Sequence, residues 1–141
     1  MWPVDFETRL TEWSSLRITA QTLDSSSLLA INNWWFRAPM INHNLHWDDA
    51  VQWPDPWTLL AENQWCDLAR ALGMLYTIMM IDESMQHRVS LVGTCQDNLV
   101  QIDNGKYMLN WCPGELLNIH SVSHPIIRSL TGKQLYQLIG Q

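Results

Sequence analysis

Residues 65–81 carry apolar side chains around more than one side of a helix: Trp65, Leu68, Ala69, Leu72, Leu75, Tyr76 and Met79. A surface helix shows a single apolar stripe, so a helix greasy over more of its circumference has to be enclosed by the rest of the chain. The spacing therefore predicts a central buried helix that ends near Ile81, with Asp82-Glu83-Ser84 as its exit. At 141 residues the chain has room for one domain, residues 1–141, built around that helix.

The flanking segments supply the layers. In residues 1–40, Pro3 suits a first helical position, and Phe6, Leu10, Trp13 and Ala20 recur at helical spacing, with Arg9, Glu12 and Arg17 turned outward. Asp24-Ser25-Ser26-Ser27 offers N-caps for a second helix through Trp34 and Trp35, closed by Pro39. The two are expected to pair antiparallel. Asp55-Pro56 inside Trp53-Pro54-Asp55-Pro56-Trp57 is a helix start signal, a cap followed by proline at the first position.

After the central helix the pattern turns to strands. Residues 88–94 alternate, and residues 98–111 read as a hairpin with Asn104-Gly105 at its tip, a dipeptide suited to a type I′ turn. Such a turn sets Leu99 opposite Asn110 and puts Asn110 on the face of Asp97, Leu99 and Gln101. In the tail, 113–141, residues 115–119 fit a short helix or strand and residues 133–139 a terminal helix. The fold class is α+β: an N-terminal helical pair, a central buried helix carrying Cys66, and a small antiparallel sheet, with the core in 53–112.

Charge excludes several partners. There are 14 Asp and Glu against 8 Lys and Arg, and no basic run, which argues against nucleic acid and anionic membranes. Asp5 and Glu7 interrupt any leader-like apolar run, and no stretch reaches membrane-spanning length. Cys66, Cys95 and Cys112 are odd in number and far apart, which fits reduced thiols made in a cytoplasm better than a disulfide framework.

Three sets of residues are candidates for function. Tryptophan is concentrated before residue 66, and so many large side chains in a short segment imply that some face partners. Trp2, Trp13, Trp34, Trp35, Phe36 and Trp47 are the interface candidates, with Trp57 and Trp65 assigned to the core. His43, His46, Asp48 and Asp49 could ligate zinc, although turn-forming Asn and Asp explain that segment equally well, so no metal or other cofactor is expected. Cys66 is read at the first turn of the central helix, where the positive end of the dipole favours its thiolate.

A two-proline turn with leucines, a polar link, then Cys66-Asp67 on a helix with Ala69, followed by strands and a hairpin, resembles the transglutaminase-like cysteine-enzyme superfamily. The resemblance covers about residues 53–110. It implies that the helix-borne Cys is a nucleophile, that a His on a following strand is its base, and that an Asp or Asn on the next strand orients the His. Cys66 matches the first position. Asn110 stands where the orienting acid belongs, and no His occurs between His87 and His120. A base contributes about 10²–10⁴ in rate, so an enzyme here would need His87 or a tail His as a substitute.

The opening Met1-Trp2-Pro3, the Trp34-Trp35-Phe36 run and the 53–57 turn are similar to small virion proteins of contractile-tailed bacteriophages. That likeness implies a structural protein of a baseplate or neck, made in the host cytoplasm and placed in the virion among other virion proteins. The alternatives are a cysteine hydrolase or acyltransferase using Cys66 and His87, and a metal or small-ligand module using His43, His46 and Asp48.

Overall fold

The computed structural model describes residues 5–38, 45–61 and 66–139. The fold is α+β, with element order α1 (Phe6–Thr19), α2 (Ser25–Trp35), α3 (Pro56–Ala61), α4 (Asp67–Ile81), β1 (Val89–Gly93), β2 (Asn98–Ile102), β3 (Tyr107–Cys112), β4 (Glu115–Leu117), β5 (Arg128–Thr131) and α5 (Gly132–Ile139).

Local signals start the helices. Asp5 accepts the Thr8 amide at 2.8 Å, Asp24 the Ser27 amide at 2.9 Å and Asp55 the Thr58 amide at 2.8 Å. Each satisfies a backbone donor that the first helical turn leaves without a partner. Helix α2 stops at Trp35, before the proline at 39 could end it.

Helix α4 is the centre of the molecule, and every residue from Leu68 to Met79 is buried. Both N-terminal helices lie against it. Trp13 of α1 and Trp35 of α2 donate their indole N–H groups to the single hydroxyl of Thr77, at 2.8 and 2.9 Å. Thr77 in turn donates to the Gly73 carbonyl at 2.8 Å. Gly73 leaves the space that the Trp35 ring fills, since a Cβ there would collide with it. Arg9, 5 % exposed, runs from α1 to donate to the Leu60 carbonyl at 3.0 Å, near the end of α3.

These contacts correct the interface assignment. Trp13, Trp34 and Trp35 are 0 %, 8 % and 1 % exposed, so they build the core and cannot present a docking surface. They are buried because their N–H groups find internal acceptors, Thr77 for two of them and Glu12 for Trp34 at 3.2 Å. Phe36 and Trp47 are half-buried. Trp57, expected inside, is 49 % exposed and packs edge-on against Trp13. Trp2 and Trp65 lie outside the described residues.

The five strands form one antiparallel sheet in the order β4-β3-β2-β1-β5. Val89, Leu91, Val100, Ile102 and Leu109 join the main core with α4, while Val92, Leu99, Met108 and Leu117 form a smaller cluster under Val122 and Ile126. The hairpin register is the expected one, with Ile102 opposite Tyr107 and Val100 opposite Leu109. Asn104 and Gly105 are left-handed, at φ 58° and 96°, and Lys106 closes the turn by donating to the Asp103 carbonyl at 3.3 Å. Asp103 is left-handed too, so the ladder ends one pair earlier than a minimal turn would allow. Strand β5 returns the tail to the free edge of β1, a pairing that Arg128-Ser129-Leu130-Thr131 does not announce by alternation. No helix among the described residues is long and apolar enough to cross a membrane.

Candidate functional site

The amino end of α4 carries the residues that the enzyme resemblance singled out. Cys66 is the N-cap of α4 rather than a residue of its first turn, and its sulfur accepts the Ala69 amide at 3.4 Å. It is 1 % exposed. A thiol used as a cap and closed off from solvent cannot reach a substrate carbonyl. Cys66 hydrogen-bonds to no imidazole among the described residues.

His87 cannot serve as its base. The 3₁₀ turn Glu83–His87 follows the carboxyl end of α4, while Cys66 caps the amino end. A helix of 15 residues separates them, which at 1.5 Å per residue is about 22 Å. Among the described residues, which include His46 and Asp48, no group of three His, Cys, Asp or Glu side chains is placed to hold an ion. His43 lies outside the described residues.

Asn110 stands in a polar cluster at the amino end of α4. Asn110 has φ 74°, and the β3–β4 register shifts between Met108 and Cys112. That irregularity turns its side chain off the face of Leu99, where alternation would place it, and toward the amino end of α4. Asn110 Oδ1 accepts Arg70 Nε at 2.6 Å, and its Nδ2 donates to the Asn98 carbonyl at 2.8 Å and the Asp67 carbonyl at 3.1 Å. Its backbone N–H donates to Asn32 Oδ1 at 2.8 Å. Asn readily tolerates the left-handed region, which is why this residue type can stand at the irregularity.

Asp67 completes the cluster. One carboxylate oxygen accepts the Asn98 amide N–H and side-chain Nδ2, both at 3.2 Å, and the other accepts Arg70 at 3.1 Å. Burial holds the Asp67 carboxyl above its ordinary pKa, and the nearby charge of Asp97 adds to this, against the pull of Arg70 and the Asn98 hydrogen bonds. Burial likewise draws the Arg70 guanidinium down, with Asp67 opposing. The guanidinium also lies 3.8 Å from the centroid of the Phe36 ring, so Phe36 is a floor for Arg70.

Beside this cluster opens a cleft of about 470 Å³ lined by Asp67, Asp97, Asn98, Arg128, His46 and Trp47, among others. Trp47 donates its indole N–H to Asn98 Oδ1 at 2.8 Å. Its ring lies over Gly93, where a Cβ would stand 3.2 Å away. Cys95, the exposed thiol of the chain, lines the cleft; Cys66 does not. Sequence reasoning found Cys66, Asp67 and Asn110 but missed Asn32, Arg70 and Asn98. A buried Arg three residues after Asp67 on an otherwise apolar helix was the signal available.

No protein-family model, curated protein or solved structure matches the chain.

Proposed function

We propose that the chain is a non-enzymatic structural protein of a tailed-bacteriophage virion, a baseplate or neck component built on a degenerate transglutaminase-like frame. The observation that carries the non-enzymatic part is the state of Cys66: buried, used as a helix cap, and separated by the length of α4 from His87. The neighbouring polar groups are tied to one another. Arg70, Asn110, Asp67 and Asn98 fulfil mutual hydrogen bonds that hold a helix end against two strands. That is the economy of a scaffold.

The virion assignment rests on the likeness to small virion proteins of contractile-tailed bacteriophages. Partner chains would meet the aromatic side chains that remain outside among the described residues, Trp57 at 49 %, Trp111 at 40 % and Phe6 at 38 % exposure, since aromatic anchors concentrate binding energy at interfaces. The test is made on particles purified from the phage that encodes the chain. Peptides of the chain should be recovered at a fixed copy number, and particles carrying Cys66→Ser should stay infectious. Recovery of the chain only from the unassembled lysate, or loss of infectivity with Cys66→Ser in a folded chain, would overturn the reading.

A further inference from the structure

The cleft at the amino end of α4 carries charges of both signs on opposite sides of an aromatic floor. Gly93 pairs with Asn98 on one side and with Arg128 on the other. Directly opposed residues in an antiparallel sheet project to the same face, so Asn98, Gly93 and Arg128 form one row across β2, β1 and β5. Two strand spacings separate the ends of that row, about 10 Å. Gly93 has no side chain, and the Trp47 ring occupies its place.

On the β2 side of that ring stand two carboxylates. Asp67 is fixed by Asn98, and Asp97 is near enough for its charge to bear on Asp67. On the β5 side stands Arg128. Neither Asp97 nor Arg128 makes a side-chain hydrogen bond or ion pair among the described residues, although both line the cleft. Opposite charges that face one cavity without meeting leave room for a molecule that meets both. The volume of about 470 Å³ falls within the range of about 300–1,000 Å³ usual for small-molecule sites.

We propose that this cleft binds a small zwitterion of amino-acid to dipeptide size, its ammonium group toward Asp67 and Asp97 and its carboxylate toward Arg128, lying across Trp47. The site needs no catalysis and is independent of the assembly role. Its specificity comes from two charges held apart on either side of the intervening strand β1. A ligand with only one charge gains one half of the site and leaves the other as it was.

Cys95 reports occupancy, because it is exposed and lines the same cleft. Its alkylation by iodoacetamide, resolved by peptide mass spectrometry, should be slowed saturably by glycyl-leucine. N-acetyl-glycyl-leucine and glycyl-leucine amide, each lacking one charge, should need at least about tenfold higher concentration, which corresponds to about 1.4 kcal/mol. Asp97→Asn and Arg128→Met should each raise the concentration needed for the parent dipeptide by a similar factor. Backbone amide NMR shifts of the free protein would verify that both variants keep the fold. No protection by glycyl-leucine, or equal protection by its blocked forms, would overturn the proposal; so would protection that both variants leave unchanged.

Discussion

Helix α4 carries two polar arrangements, one buried and one partly exposed, and they are built on opposite plans. At its middle, Thr77 takes two indole N–H groups and gives one hydrogen bond to Gly73, all uncharged and sealed inside. At its amino end, Asp67 and Arg70 are ionisable, pair with each other and share Asn110 as a partner, and Asp67 also takes Asn98 and borders an open cleft. The middle hub fixes how α1 and α2 sit on the helix. The end cluster fixes how the sheet meets it. Neutral groups with partners are the inexpensive way to bury polarity, while charges incur a desolvation cost even when well paired. The middle is thus where stability should concentrate, and the end is where pH should act.

The largest effect belongs to the hub. Trp35→Ala removes a fully buried ring and should lose about 3–5 kcal/mol of unfolding free energy in urea titration. Thr77→Val keeps the volume but leaves two indole donors without an acceptor, a loss of roughly 1–3 kcal/mol for each. A loss below that for a single donor would show that the two indoles do not depend on Thr77.

The cluster comes next. Asn110→Gly keeps access to the left-handed backbone and deprives Arg70 of its acceptor, which should cost about 1.5–3 kcal/mol, the range for a hydrogen bond to a charged group. Asn110→Ala should lose about 1–2 kcal/mol more, because alanine also strains at φ 74°. Equal losses for the two would mean that the backbone irregularity does not matter.

A smaller effect separates the two regions by pH. The folded pKa of Asp67 lies above its unfolded value, so the native state holds that proton more tightly. Wild type should therefore gain stability relative to Asp67→Asn as pH falls through the raised value, and the gain is complete below the ordinary carboxylate value of about 4. Asp103, held low chiefly by its hydrogen bond to Arg88, runs the other way: its contribution is present above the ordinary value and fades in acid. Chemical denaturation at a series of pH values checks both signs. Thr77→Val should show the same offset from wild type at every pH, since the hub contains no titrating group.

The two regions also differed in how far the sequence disclosed them. The burial of α4, its end near Ile81, the Asp55-Pro56 start and the hairpin register were all legible, because periodicity, caps and turn residues are local. The roles of Trp13 and Trp35 were not. Whether a tryptophan is core or interface depends on an acceptor such as Thr77, which stands 64 and 42 residues away respectively. At the amino end, alternation put Asn110 on the wrong face because a single left-handed residue reverses it. Strand β5 was missed because an edge strand with two exposed polar residues carries no period. Cys66 was read in the first helical turn and is the N-cap just before it, and its burial depends on how the sheet and the helices close over it.

Native alkylation distinguishes Cys66 as a helix cap from Cys66 as a nucleophile. The folded protein is treated with iodoacetamide over a range of pH and the modified peptides are quantified, with a denatured sample as reference. Modification should fall on Cys95 first and reach Cys66 only after unfolding, and Cys66→Ser should be as stable as wild type or slightly more so, serine being the better cap. Alkylation of Cys66 in the native protein at or above the rate of Cys95, with a midpoint well below the free-thiol value of about 8.5, would contradict the cap role.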